Sequence, residues 1–223
     1  MCGRYVSKEE AAIERAFNLT RGGGNPFGAR YNAAPTDLLP IIRNHPKRGR
    51  ELTLLRWGLI PSWAKDASIG AKMINARAET LAEKPAFRSA FQRRRCLVPM
   101  AGFYEWQKTP VGRMPHYVDL LNADLFAVAG LYEWWPGKDG VQPIESYTIV
   151  TTQANERLAK LHDRMPVILH AQDYEAWLDP KNEDTEGLNA FLVPYPAEET
   201  RVCPVSQCVN NVKNDDASLI QAV

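Results

Sequence analysis

Cys2 is the residue whose type and position together imply chemistry. It follows Met1, and a small residue there permits removal of the initiator methionine, which leaves an amine and a thiol on adjacent carbons. The amine titrates near ~8 and the thiol near ~8.5, so each has a reactive fraction at neutral pH. An aldehyde meeting this pair forms an imine with the amine, and the thiol then adds to the imine carbon to close a five-membered thiazolidine. The same pair also suits acyl transfer, the thiolate attacking an amide with the free amine as its base.

Either route needs a group that moves protons near neutrality. His162 fits, in Leu161-His162-Asp163-Arg164-Met165-Pro166, between a helical segment and a strand, where functional loops tend to lie. His45 sits among polar loop residues, and His116 and His170 lie in or beside strand-like apolar runs, so these three read as structural. Glu105 lies in Phe103-Tyr104-Glu105-Trp106, where alternation sends Phe103 and Glu105 to one face of a strand and Tyr104 and Trp106 to the other. A carboxyl beside large rings has its pKa raised, as a general acid requires; an ordinary exposed strand glutamate is the alternative. Gly130-Leu131-Tyr132-Glu133-Trp134 repeats the pattern G-x-Y-E-W of Gly102 to Trp106, and spacing does not choose between the two glutamates.

Asn75, Arg77 and Glu79 share a face if their segment is extended. An amide beside a guanidinium suits an oxygen-rich ligand such as a phosphate and a sugar hydroxyl, although an Arg77–Glu79 salt bridge accounts for the same residues. Trp57, Pro61 and Trp63 offer either an apolar wedge that stacks on bases or part of the core. Arg93-Arg94-Arg95 reads as the solvated end of a helix. Cys203 and Cys208 have no second Cys/His pair at finger spacing, so they read as small buried residues, and neither a metal nor a cofactor is expected.

These side chains need a scaffold, and the chain of 223 residues, 45% hydrophobic and 24% charged, can bury a sizeable core. Ser7-Lys8-Glu9-Glu10 reads as a capping box opening a helix that continues to Phe17, closed by a loop at Gly22-Gly23-Gly24-Asn25-Pro26. Short β-rich runs follow at 38–43, 52–59, 96–98, 102–106, 116–120, 125–131, 147–151 and 167–169, with helices expected at 85–93, 155–161 and 173–178. The helices do not alternate regularly with the strands. That disfavours a doubly wound parallel sheet and predicts an α+β fold with a bent, partly closed mixed sheet flanked by short helices. No composition break marks a linker, so residues 1–223 read as a single domain.

The start of the chain does not lead into an apolar stretch, and its longest apolar run, 125–135, falls short of the ~20 residues of a spanning helix. Neither secretion nor a membrane anchor is expected. Four cysteines do not make a disulfide framework in a chain this long, which fits a reducing, cytoplasmic compartment, and the chain is expected to be a monomer. The formal charge of +1 hides an asymmetry: residues 1–100 hold 18 basic and 8 acidic side chains, residues 101–223 hold 9 and 18. Polyanion contact on one face and mutual attraction of two oppositely charged portions both account for it.

Taken together and in order, Met1-Cys2-Gly3-Arg4-Tyr5, Arg30-Tyr31-Asn32-Ala33-Ala34-Pro35, Trp57-Gly58-Leu59-Ile60-Pro61-Ser62-Trp63, Ile74-Asn75-Ala76-Arg77-Ala78-Glu79-Thr80, Gly102-Phe103-Tyr104-Glu105-Trp106, Leu161-His162-Asp163-Arg164-Met165-Pro166 and Val209-Asn210-Asn211-Val212-Lys213-Asn214-Asp215 closely resemble the SRAP family, the SOS-response-associated peptidases or abasic-site processing proteins. The resemblance implies a bifurcated pseudo-barrel whose N-terminal cysteine crosslinks to abasic sites in single-stranded DNA. It assigns the nucleophile to Cys2 and the other active-site positions to Asn75, Glu105 and His162, selecting Glu105 over Glu133. Phosphate contacts are implied for Arg4, Arg77 and Arg164, with Asn32 and Pro35 lining the DNA groove. Trp63 takes the position of the strand-separating wedge, followed here by Ala64 where some members carry a second aromatic residue. On this reading the basic portion of the chain supplies most of the DNA-holding surface, and the acidic portion adds acid-base groups.

Overall fold

A computed structural model describes residues 2–20, 26–45, 47–138 and 140–223. Met1 and the expected loop at Gly22 to Asn25 lie outside these residues. In chain order the strands are β1 (Tyr5–Ser7), β2 (Arg30–Ala33), β3 (Leu38–His45), β4 (Gly49–Trp57), β5 (Asn75–Arg77), β6 (Arg95–Met100), β7 (Gly102–Thr109), β8 (Gly112–Leu120), β9 (Phe126–Trp135), β10 (Ile144–Gln153), β11 (Arg164–Pro166), β12 (Ile168–Leu169) and β13 (Thr200–Pro204). The α-helices are short: α1 (Glu10–Ala16), α2 (Arg88–Arg93), α3 (Tyr174–Leu178) and α4 (Thr185–Asn189).

The fold is the α+β pseudo-barrel expected, built from two sheets rather than one bent sheet. The smaller has the order β13-β8-β7-β1-β2. The larger runs β11-β10-β4-β3-β6-β9-β12, with β5 also on β10, and a β9–β10 pairing leads the strands round on themselves. The parallel β10–β4 contact is confined to Ser146 opposite Arg56 and Tyr147 opposite Trp57, so the ring is a pseudo-barrel that does not close along its length.

Alternation along the ring strands creates two cores. Val98 pairs with Val128 and faces inward with Tyr5, Phe103 and Val118 of the smaller sheet, whereas the next pair, Leu97 and Ala129, faces out under Ile13, Phe91, Trp177 and Leu188 of the four helices. Each fully buried side chain of this size stabilises by roughly 1.5–3 kcal/mol, which is why such short helices hold their place.

Several expectations need correcting. Ser7 caps no helix: it is 1% exposed, pairs with Arg30 in β1, and α1 begins later behind Glu9 without a side-chain cap. A cap is worth about 1 kcal/mol, less than a buried strand position. The run expected at 52–59 forms as β4 and stops at Trp57, because Gly58 adopts φ +122° and a Cβ there would lie 2.5 Å from the Gly70 carbonyl oxygen. The helix expected at 155–161 reduces to one 3-10 turn, Leu158–Lys160.

The charge asymmetry is in large part internal. Arg30 pairs with Asp215, Arg43 with Glu145, Arg50 with Glu175, Arg93 with Glu183 and Arg94 with Glu133, each joining the basic portion to the acidic one. Arg93 and Arg94 are therefore ion-paired rather than merely solvated. Arg95 is 3% exposed and donates to the carbonyls of Phe91 and Trp177.

Candidate active site

The smaller sheet meets the mouth of the ring at Cys2. Its side chain is fully buried in the inner core with Tyr5, Trp57 and Tyr147. The Tyr5 and Tyr147 hydroxyls are 2.8 Å apart, and the Trp57 ring lies edge-on to Tyr5 at 5.2 Å and donates its indole N–H to the Ile74 carbonyl at 2.9 Å. Trp57 is thus a wall behind the cysteine rather than a wedge, and Pro61 is buried as well. Of that trio only Trp63 is exposed, at 60%. Ala64 turns inward against Ile60 and Trp135, whose indole N–H donates to the Ala64 carbonyl at 2.8 Å.

Asn75, on β5, donates from Nδ2 to the Cys2 carbonyl at 2.8 Å, which fixes the backbone at Cys2. Its Oδ1 is buried and has no hydrogen-bond partner among the described residues. The Cys2 thiol lies 3.9 Å from the Arg4 carbonyl. Burial pushes this thiol up, and the nearby Glu105 charge pushes it further, so it is neutral at physiological pH.

Glu105 is 3% exposed on β7, on the face that alternation predicts. It forms the floor of a cleft of about 650 Å3 whose far wall carries His162. His162 Nδ1 lies 2.7 Å from Asp163 Oδ1 and 3.0 Å from the Arg164 amide N–H. The carboxylate needs a hydrogen on Nδ1 and the amide a bare Nδ1, so the two contacts alternate with the tautomer of the ring. His116, read as structural, is the direct cross-strand neighbour of Glu105. Its Nδ1 lies 3.1 Å from the Met114 carbonyl.

The arginines divide into two kinds. Arg77 is exposed at the end of β5, where the chain turns into a 3-10 helix at Ala78–Thr80. That turn breaks the common face expected for Asn75, Arg77 and Glu79, and Glu79 pairs instead with Arg164 in a two-pronged contact at 2.6 and 2.9 Å. Arg164 is 9% exposed and also donates to the Thr151 carbonyl at 2.5 Å, so it fastens β11 to β10. Arg4 is half-buried and donates to Asn32 Oδ1 at 2.8 Å and to the Val209 carbonyl at 3.1 Å. Asn32 is fully buried; its Nδ2 donates to the carbonyls of Val209, Asn211 and Asn214. Pro35 is half-buried in the turn after β2.

Sequence reasoning gave no role to the partner of this arrangement, the segment from Val209 to Asp215. Asp215 Oδ1 accepts the amide N–H groups of Tyr31 and Asn32 at 2.5 and 2.9 Å, and its other oxygen takes Arg30 Nε at 2.5 Å. Asn210 holds the Trp106 indole at 2.7 Å. The segment's Asn-rich composition and its place among the segments that carry the family resemblance were its visible signals. Cys203 is half-buried, Cys208 is exposed and both are free, so neither is the small buried residue expected; no group of three metal-ligating side chains occurs among the described residues.

Fold and site define an α+β pseudo-barrel protein with a cysteine at residue 2, an amide on its backbone and a buried carboxylate beside it. The family described as SRAP, SOS response associated peptidase, matches residues 1–212, and the chain belongs to that family. It is 44% identical to the abasic site processing protein YoqW of Bacillus subtilis, all of both chains being covered. It is 32% identical to the abasic site processing protein HMCES of Gallus gallus, over 83% of this chain and 63% of that protein. A crystallised protein from Bacteroides thetaiotaomicron has the same fold, with a TM-score of 0.89 and 25% identity over the whole of both chains. Among the described residues no helix is long and apolar enough to cross a membrane.

Proposed function

We propose that the protein captures abasic sites in single-stranded DNA as a covalent adduct on Cys2. The observation that carries this reading is the convergence of three groups: the Cys2 carbonyl held by Asn75, the thiol within reach of the Glu105 charge, and Glu105 sharing its cleft with His162. The names of the relatives, abasic site processing proteins, support it.

Once Met1 is removed, the Cys2 amine adds to the C1′ aldehyde of the ring-opened sugar. Glu105 takes the proton that the adding amine releases and returns it to the carbinolamine hydroxyl, which leaves as water and gives the imine. The thiol then adds to the imine carbon and its proton passes to the nitrogen, so one water is lost overall and the ring is a thiazolidine. Thiol addition suits this thiol, which is neutral in its buried site and needs no standing thiolate. Closing the ring removes the imine that would otherwise promote β-elimination, and the strand stays intact. Asn75 Oδ1 accepts a hydroxyl of the opened deoxyribose, and His162 assists ring opening and release. Arg4 and Arg77 hold the flanking phosphates, with Trp63 beside the lesion and Pro35 on the groove wall. Asn32 and Arg164 act through their neighbours, positioning Arg4 and β11. The protein acts as a cytoplasmic monomer on exposed single strands.

Mixing the protein with single-stranded DNA carrying an abasic site yields a heat-stable shifted band and an intact mass equal to protein without Met1, plus DNA, minus one water. Equal adduct from Cys2→Ser, or from protein with extra N-terminal residues, would contradict the thiazolidine. Turnover of a peptide or glutamine amide, insensitive to DNA, would place the protein among N-terminal cysteine hydrolases instead.

A further inference from the structure

The cleft beyond Glu105 and His162 carries three cations that the capture mechanism leaves unused. Lys108 and Arg113 are exposed and stand directly opposite each other across the β7–β8 hairpin. Lys160 is exposed on the 3-10 turn that forms the other wall, and Gln107 Nε2 donates to its carbonyl at 3.4 Å, tying the turn to the hairpin. Like charges opposite one another on a hairpin are destabilising, and a third across the cleft adds to the repulsion. Among the described residues none of the three has a carboxylate within ion-pairing distance, unlike Arg43, Arg94 or Arg164. The carboxylates of the cleft are Glu105 at its floor and Asp163, which lies against His162.

A cost without an internal compensation points to an anion from outside. We propose that Lys108, Arg113 and Lys160 hold the phosphodiester backbone of the single strand as it leaves the abasic nucleotide, making the cleft the continuation of the DNA track. Trp106 borders the same cleft, its ring packed with Tyr104 on the other face of β7 and its indole held by Asn210. A positively charged groove that tracks the backbone is what suits a single strand. This inference rests on the DNA reading above and extends it: the acidic portion of the chain contributes phosphate contacts as well as acid-base groups.

The test uses a fluorescent single strand of about 15 nucleotides with a central tetrahydrofuran, an abasic analogue without an aldehyde, so that binding is read apart from capture. Affinity is measured from about 50 to about 200 mM salt for the intact protein, for Lys108→Ala/Arg113→Ala/Lys160→Ala, and for the charge-keeping Lys108→Arg/Arg113→Lys/Lys160→Arg. Three lost phosphate contacts flatten the slope of log K against log salt by about 2, so the intact protein loses roughly 20-fold more affinity than the alanine variant over that range. The charge-keeping variant retains the parental slope. An unchanged slope in the alanine variant, or an equal loss in the charge-keeping one, overturns the proposal. If the intact protein captures an aldehyde-bearing site but the slopes coincide, the cleft assignment falls alone. If the slopes differ and no adduct forms, the covalent reading falls and the cleft stands as a single-strand surface.

Discussion

The pattern G-x-Y-E-W occurs twice, and the two copies have opposite fates. In both, the glycine lets another element approach closely: a Cβ on Gly102 would lie 2.4 Å from the Tyr117 ring, and one on Gly130 2.8 Å from Cys96 Sγ. In both, the tyrosine is buried, Tyr104 donating to the Tyr31 carbonyl at 2.8 Å and Tyr132 lying under the Arg43 guanidinium at 4.8 Å. The glutamates then diverge. Glu133 accepts Arg94 Nη2 at 2.7 Å and the Trp134 amide at 3.0 Å, closing an ion pair on the outside of the ring. Glu105, equally buried, faces the thiol and the cleft. A five-residue pattern therefore specifies a shape, in which a strand is crossed closely and a carboxylate is buried. Whether that carboxylate is structural or reactive depends on the element packed against it.

Glu105→Gln tests this contrast most strongly. Losing a proton-transfer group lowers the single-turnover rate of adduct formation by about 100-fold or more, while Glu133→Gln stays within about twofold of the parent rate. Equal losses would erase the distinction. Gly102→Ala and Gly130→Ala each destabilise by about 1–3 kcal/mol in urea unfolding, the first by driving a methyl into the buried Tyr117 ring and the second into Cys96 and Val98. Glu133→Gln leaves Arg94 without its counter-charge and costs about 1 kcal/mol, discounted for the partial exposure of Arg94.

The smallest effect separates the two tyrosines. Burial raises both phenols, Tyr104 further because Asp215 and Asp216 add to it, whereas the charge of Arg43 opposes the rise at Tyr132. The unfolded chain releases these protons near pH ~10 and the native state keeps them, so the stability they contribute is complete below that pH and falls as pH rises through it, by up to about 1.4 kcal/mol per unit for each group. Tyr104→Phe flattens the alkaline limb of a stability–pH curve more than Tyr132→Phe. The reverse order would mean that Arg43 does not screen its tyrosine.

What the sequence made legible follows from the range of the interactions. Strand runs such as 38–43 and 147–151, and the face occupied by Glu105, are decided by alternation within a few residues. Ser7 misleads because its local cap competes with pairing to Arg30, far along the chain. Arg164 carries only the phosphate role that the resemblance implies until Glu79, 85 residues away, is placed beside it. The Arg77–Glu79 pairing fails for a related reason: one 3-10 turn after β5 redirects Glu79. Asn32 reads as a groove residue, yet its three carbonyl partners all come from the Asn-rich segment more than 170 residues on.

That last arrangement has a consequence for how the molecule is made. Arg4 and the Val209 carbonyl that holds it are 205 residues apart. At about 5–20 residues per second, a ribosome needs roughly 10–40 s to deliver the second after the first. Arg4 is therefore held only after the 205 residues that separate it from Val209 have been made. A chain that stops short of Val209 lacks the carbonyl that holds both Arg4 and Asn32, so the backbone next to Cys2 is framed only once that segment has folded back on it.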